Sequence, residues 1–376
     1  MGKNNLRQII TFMGAVLAYM MGSGFATGQE LLQYYVSYGY KSILVGATLA
    51  AILIFANWGF ARAGHQEGFS KGSEIFTYYC GGQVGKIFDW FTALFCFMSF
   101  IVMLAGAGST LEQQYRLPLI IGIIAMAVFA ALTVSCGLNS LVEIIGKVGP
   151  MLAVCVLLIG ITTLICHGGN IEPNMARIDS GELPLLKASE NWFLAGISNG
   201  GMSLLILAGF MAKLGSTNKL RPLMAGQTMG ILLYAIISVL IGFALISQVD
   251  FIAGAQIPNL VLANDISPIL GYLFGLVIFA AIYTTACPLL WTTASRIAQE
   301  GTFTFKLITC ILAVVGVLLA VSVPFDILIN YIYVLNGYGG AIFLLFMIFQ
   351  ESRSGVGHLR DKILGKSSRQ PPKYKG

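Results

Sequence analysis

Three glycines, a serine and a carboxylate stand close together in the stretch YMMGSGFATGQE, Tyr19 to Glu30, inside the apolar run that opens the chain. At Gly22-Ser23-Gly24 a helix can unwind, and unwound backbone offers N–H and C=O groups to a ligand. A helix restarting near Phe25 would present unpaired amides and roughly half a unit of positive charge, a seat for a carboxylate. Glu30 is an ionisable group in apolar sequence of membrane length, a placement used for proton carriage or for holding a substrate amine. A structural hydrogen bond is the other role open to it. A second small and polar cluster, Ser198-Asn199-Gly200-Gly201, would free carbonyls suited to an ammonium. Thr284 and Thr285, followed by Pro288, carry hydroxyls that can serve a ligand or bond their own helix backbone. Lys147 stands four residues after Glu143, the spacing of an intrahelical ion pair.

The elements that hold these residues follow from composition. The 376 residues are 57% hydrophobic and 10% charged, with a mean hydropathy of +0.81. Apolar surface on that scale requires lipid as its solvent. Hydropathy divides into about ten segments long enough to cross about 30 Å of hydrocarbon. They fall near 8–36, 41–62, 88–113, 117–136, 140–166, 191–213, 220–247, 267–296, 304–322 and 325–350. Loops 63–87 and 167–190 are the longest between them, too short for a soluble domain. The expectation is an all-α integral membrane protein with one transmembrane domain over 1–350. A basic cytoplasmic tail, 351–376, follows it and has the composition of a disordered segment.

With the N-terminus inside, 18 of the 22 lysines and arginines fall on the cytoplasmic side, leaving Lys41, Arg116, Arg177 and Lys187 outside. That bias sets both termini in the cytoplasm of a multi-pass cell-membrane protein. It also accounts for the net charge of +6 without any nucleic-acid partner. The basic tail can rest on anionic lipid. The first apolar run lacks a small-residue cleavage site and is expected to be retained as a span.

The break at Gly22 lies about 21 Å into the first span by the helical rise, near the bilayer midplane. The cluster at Ser198 lies about 12 Å into the sixth span, approached from the other side. Two sets of five spans, about 8–166 and 191–350, would be inverted relative to each other because five is odd. Interruptions at matching places in inverted halves point to a transporter's binding site. Close helix packing is the alternative use of such glycines, and it is the reading for Gly160, Gly226, Gly230, Gly242 and Gly275. A third cluster, Asn336 to Gly340, is either a hinge or a packing surface.

At these residues the chain resembles a known family. GSGF at 22–25 resembles the first-span signature of the amino acid–polyamine–organocation (APC) transporter superfamily. Ten spans with discontinuous helices 1 and 6 resemble its five-plus-five inverted-repeat, LeuT-type fold. GSGFATGQELLQYY with GKVGPMLAV most resembles the bacterial YkvI-like membrane proteins, over essentially residues 5–350. The resemblance implies a symporter: a cation-coupled secondary transporter of an amino acid or related small carboxylate, working by alternating access. It implies a substrate site at Gly22, Ser23, Gly24 and Phe25, faced by Asn199, Gly200 and Gly201, with Phe25 and Phe193 as covers. By position it implies a sodium site from the carbonyls of Met21 and Gly22 and the hydroxyls of Thr284 and Thr285. Glu30 is the candidate for proton or amine binding within the span; if it lies on the second half-helix, about eight residues past the break, the alternative is a partly wet place at the outer vestibule. Lys147 is the alternative, an ammonium in place of the ion. Sodium and proton coupling both stand.

Other classes find less support. The histidines, His65, His167 and His358, lie in a loop, at a span end and in the tail, and no zinc-protease or nucleophile-elbow motif occurs, so no enzyme and no cofactor beyond a coupling ion is expected. Seven scattered cysteines form no C-x-x-C pair. No repeated filter loop suggests a channel. A nutrient receptor on the same fold, binding without transport, is the rival reading.

Overall fold

The protein is described here by a computed structural model covering residues 3–136 and 142–363, with side chains over 5–136 and 151–353. Helices form throughout because lipid leaves no other partner for backbone N–H and C=O groups. The first span is three pieces: α1 (Lys3–Met20), α2 (Ser23–Thr27) and α3 (Gln29–Tyr34). A 3-10 turn, Val36–Lys41, leads into α4 (Ser42–Glu67), followed by the short α5 (Glu74–Cys80). Then come α6 (Gly82–Tyr115), α7 (Leu119–Cys136), α8 (Val142–His167) and a second short helix, α9 (Ile171–Asp179). The second half runs through α10 (Trp192–Thr217), α11 (Leu220–Ser247), the short α12 (Val249–Ile252) and α13 (Pro258–Ile266), α14 (Pro268–Ile297), α15 (Phe303–Ser322) and α16 (Phe325–Ile363). Nine helices among the described residues are long and apolar enough to cross a membrane. The broken first span makes ten. The two long loops each contain a short helix, and α16 continues through the first part of the expected tail; residues 364–376 lie outside the described residues.

The packing obeys an exchange of each span with the one five later. The first span packs through α1 on α11, the seventh, while the sixth, α10, packs on α4, the second. The third and eighth spans, α6 and α14, pack on each other, as do the fourth and ninth, α7 and α15. This is the pairing that an inverted five-plus-five repeat requires.

Side-chain contacts sort the loops onto two faces. On the face of the N-terminus, Arg296 pairs with Asp89 at 2.8 Å, the Lys213 ammonium donates to the Ser70 carbonyl at 3.0 Å, and the Tyr79 hydroxyl donates to Glu351 at 3.0 Å. On the opposite face Arg177 joins α9 to α12 through Asp250 at 2.7 Å.

The sixth span departs from expectation. Ser198, Asn199, Gly200 and Gly201 are helical within an unbroken α10. The glycines there are a packing seam: a side chain on Gly201 would run into the carbonyl of Gly337, one on Gly340 into that of Gly201, and one on Gly200 into Ile52. Gly337 in turn abuts Ser198, so the cluster at Asn336 to Gly340 belongs to the same seam. Small residues bring the α10 and α16 backbones into contact, where dispersion replaces the missing hydrophobic drive between helices in lipid.

Candidate functional site

The interruption of the first span is built from two glycines. Helix α1 stops at Met20, and Gly22 takes an extended conformation (φ −78°, ψ −167°) as the cap of α2. Six residues later Gly28 adopts φ +88°, the left-handed region open to glycine, and α3 starts after it. The carbonyls of Phe25 and Ala26 at the end of α2 are met by the Asn259 side-chain amide of α13, which donates to them at 3.0 and 3.1 Å. The break is thus satisfied by protein at its far end.

The turn at Gly28 decides between the two places open to Glu30. Glu30 is 3% exposed, and its carboxylate folds back over α2 rather than facing a vestibule. One oxygen, Oε2, lies 2.9 Å from where a Cβ on Gly24 would stand, and Tyr333 of α16 crowds the same point. The other oxygen, Oε1, accepts a hydrogen bond from the Tyr234 hydroxyl of α11 at 3.1 Å. Asn199 of α10 approaches the same carboxylate within hydrogen-bonding reach, and the Ser23 hydroxyl approaches that of Tyr333. Asn199 and Ser23 are fully buried.

Beside Glu30 is a cavity of about 150 Å³ at the crossing of five spans. The first span contributes Ala18 to Gly22 and Glu30; α6 contributes Phe95, Ser99 and Met103. Met202, Ser203, Ile206 and Leu207 of α10 form the facing wall, with Ala281, Thr284, Thr285, Pro288 and Leu289 of α14 and Tyr333 of α16. Every residue from Ser23 to Gly39 is buried, which closes the path to the opposite face. Gln33, Tyr38 and Gln113 seal it further through bonds to Asp326, Ser189 and Ile257. Toward the N-terminal face, Tyr19 lines the cavity, is 44% exposed, and stacks flat on Phe210 of α10 with ring centroids 4.7 Å apart.

The structure brings together Met21, Gly22, Glu30, Thr284 and Thr285 around one cavity. A Cβ on Gly22 would touch the Thr285 methyl at 4.0 Å. Thr284 and Thr285 both donate to the Ala281 carbonyl, at 2.9 and 3.1 Å, leaving their oxygen lone pairs free. Pro288 has no N–H for the carbonyl of Thr284 one turn earlier, which frees that oxygen as well. Ser23 and Gly24 form the first turn of α2. Phe25 turns away against Tyr234, ring centroids 5.4 Å apart. Gly200 and Gly201 belong to the packing seam and do not line the cavity; Met202 and Ser203, just beyond them, do. Phe193 is 50% exposed beside Trp192 and covers nothing. The side chains of Lys147 and Glu143 lie outside the described residues. Sequence reasoning missed Tyr234, Tyr333, Ser99, Ser203 and Asn259. A hydroxyl in an otherwise apolar span is a weak signal, because threonine, serine and tyrosine also occur there for packing and for bonds to their own helix.

No family model matches the chain. The Bacillus subtilis (strain 168) protein YyaD, itself uncharacterized, is 23% identical over 327 residues, spanning 87% of this chain and 92% of that one. Among solved structures, MhsT in complex with L-phenylalanine is similar with a TM-score of 0.63 at 16% identity, covering 89% of this chain and 87% of that one. The inward-facing conformation of Mhp1 has a TM-score of 0.61 at 16% identity, over 89% and 73%. A Na⁺-coupled sialic acid symporter has 0.56 at 13% identity, over 92% and 86%. The chain has the LeuT-type fold.

Proposed function

We propose that this protein is a cation-coupled secondary transporter that carries an amino acid or related small carboxylate across the cell membrane by alternating access. One observation carries the reading. A cavity at the crossing of five spans is lined by a buried carboxylate and by the hydroxyls of Ser99, Ser203, Thr284 and Thr285, is closed on one face, and has its exposed wall on the other. An interrupted first span beside such a cavity is the arrangement by which transporters offer backbone to substrate and ion. The resemblance of GSGF to the APC first-span signature supports membership of that superfamily and makes amino acids the first solutes to test; APC and YkvI-like membership are both part of this proposal. The basic bias supports termini in the cytoplasm, so the described state would face inward.

The coupling ion proposed is sodium, held between the last carbonyls of the first half-helix, at Met21 and Gly22, and the oxygens of Thr284 and Thr285. The Gly22 carbonyl also accepts the first hydrogen bond of α2, from the Ala26 N–H at 3.0 Å, and Pro288 adds the freed carbonyl of Thr284. Oxygen ligands alone suit a hard cation. Glu30 is the proton carrier if sodium proves inert.

The test is counterflow in proteoliposomes: unlabelled solute inside should drive transient accumulation of labelled solute, with a sodium gradient raising the rate. Binding without counterflow would mean a receptor and would end the transport reading.

A further inference from the structure

The first span is covered on the face opposite the N-terminus by a strap, residues 253–266, whose second part is α13. Side chains tie the strap down on several sides. Asn259 donates to the Phe25 and Ala26 carbonyls of α2 at 3.0 and 3.1 Å. Gln113 of α6 donates to the Ile257 carbonyl and accepts from the Ile257 N–H, both at 2.9 Å. Gln114 and Asn264 exchange amide bonds, the shorter at 2.7 Å, and Gln256 accepts from the Asp326 N–H at the start of α16 at 3.2 Å. These tethers are carboxamides, which carry no charge at any pH. One tether differs in kind. Near the end of α13, one oxygen of Asp265 accepts from His167 Nε2, at the end of α8, at 2.8 Å and from the Gln248 amide at 3.1 Å. The His167 and Asp265 side chains are 33% and 41% exposed, so water and protons reach both.

Among the described residues Asp265 is the only ion-pair partner of His167. Helices α11 and α14 pack on α8 but carry their only lysine or arginine, Arg221 and Arg296, at their ends on the N-terminal face. Tyr272, at the other end of α14, packs on Tyr115 of α6. The 3-10 turn Gly168–Asn170 has no charge, and α1 carries Lys3 and Arg7 at its far end. On α9 and α12, Asp250 is taken by Arg177, while Glu172 and Asp179 are exposed, as is Cys166 beside the histidine. A neutral imidazole donates an ordinary hydrogen bond to a carboxylate, and a protonated one makes a stronger, charge-assisted bond. Histidine ordinarily changes charge over about pH 5 to 8.

We propose that His167 and Asp265 form a proton-sensitive latch on the strap: protons on the outer face charge the imidazole, hold α13 down over the first span and favour the inward-facing state. This goes beyond the transport reading and takes from it only that the outer face opens. The strap is bonded to both the first span and α6, so it must shift when they part, and α8 restrains it through His167. The sign follows from the pair. The added restraint is present at acidic outer pH and is lost as the pH rises through the histidine range. A half-exposed ion pair of this kind changes the odds of closure by about twofold to fivefold.

The test measures distances between spin labels by electron resonance on the full chain in nanodiscs, in a background with the seven native cysteines replaced. The labels go on Gly254→Cys in the strap, where a Cβ meets nothing within 4 Å, and on Leu117→Cys between α6 and α7, which is 40% exposed. Lowering the pH from 8 to 5.5 should raise the ratio of closed to open populations by about twofold to fivefold. His167→Gln and Asp265→Asn should each remove that response, and His167→Lys, which keeps the charge, should give a high closed fraction at both pH values. A purely structural role would shift the populations equally at both pH values and leave the response in place. No response in the parent, or a response that survives both His167→Gln and Asp265→Asn, would overturn the latch. The substitutions fall at partly exposed positions, and should one variant fail to fold, the others carry the comparison. No solute enters the measurement, so its failure leaves the transport reading standing, and absent counterflow leaves the latch standing.

Discussion

Glu30 owes its position to a single residue, Gly28, whose left-handed backbone turns the chain between α2 and α3. An alanine there would be strained, and its Cβ would stand 2.6 Å from the Asn259 side-chain oxygen. Gly28→Ala should therefore cost about 1–3 kcal/mol, read as a lower apparent melting temperature together with weaker solute binding. Gly24→Leu tests the site more selectively, because its side chain meets the side chains of Glu30 and Tyr333 rather than backbone. It should abolish solute binding while leaving yield and monodispersity intact; unchanged affinity would remove the first turn of α2 from the site. For the ion, Thr284→Ala with Thr285→Ala should reduce the stimulation by sodium by about fivefold or more. Undiminished stimulation in flux assays would send the coupling to Glu30 and protons.

At the scale of elements, the first and sixth spans solve different problems with similar residues. The first is broken because Gly22 and Gly28 leave helical geometry, and α13 caps the carbonyls so exposed. The sixth stays whole because its glycines are used as a contact surface against α16. Gly201→Leu should accordingly act as a folding lesion: the new side chain has only the Gly337 carbonyl and the α16 backbone to meet, and neither can yield. Loss of monodisperse protein in fluorescence-detected size exclusion is the expected result. A well-folded Gly201→Leu with altered solute affinity would instead restore a break in the sixth span.

For the whole molecule, the state described is closed on the face of the 3-10 turn and α9, while α1, packed on α11 and α8, leaves Tyr19 exposed at the other. A cysteine at Ser99 or Ser203 should then react with a membrane-impermeant thiol reagent applied from the N-terminal face, in a background with the seven native cysteines replaced. Replacing Tyr19 by alanine should speed that labelling by removing the stack on Phe210. Labelling only from the opposite face would mean that the resting state in a membrane is the other one.

Apolar segment lengths, the basic asymmetry and the positions of Gly22 and Glu30 are linear properties, so the all-α membrane class, the ten spans and the place of the first break were legible in the sequence alone. They depend on what lipid demands of any stretch of backbone. The use of a glycine depends on what stands opposite it. Gly22 meets open space and a threonine methyl, Gly201 meets another helix, and nothing local to either cluster distinguishes the two. For the same reason only the tertiary structure decided that Glu30 turns inward to Tyr234 and that Asn199 comes to face it. Those facts are made by five spans meeting at one point, with partners as far apart as Glu30 and Tyr333 in the chain.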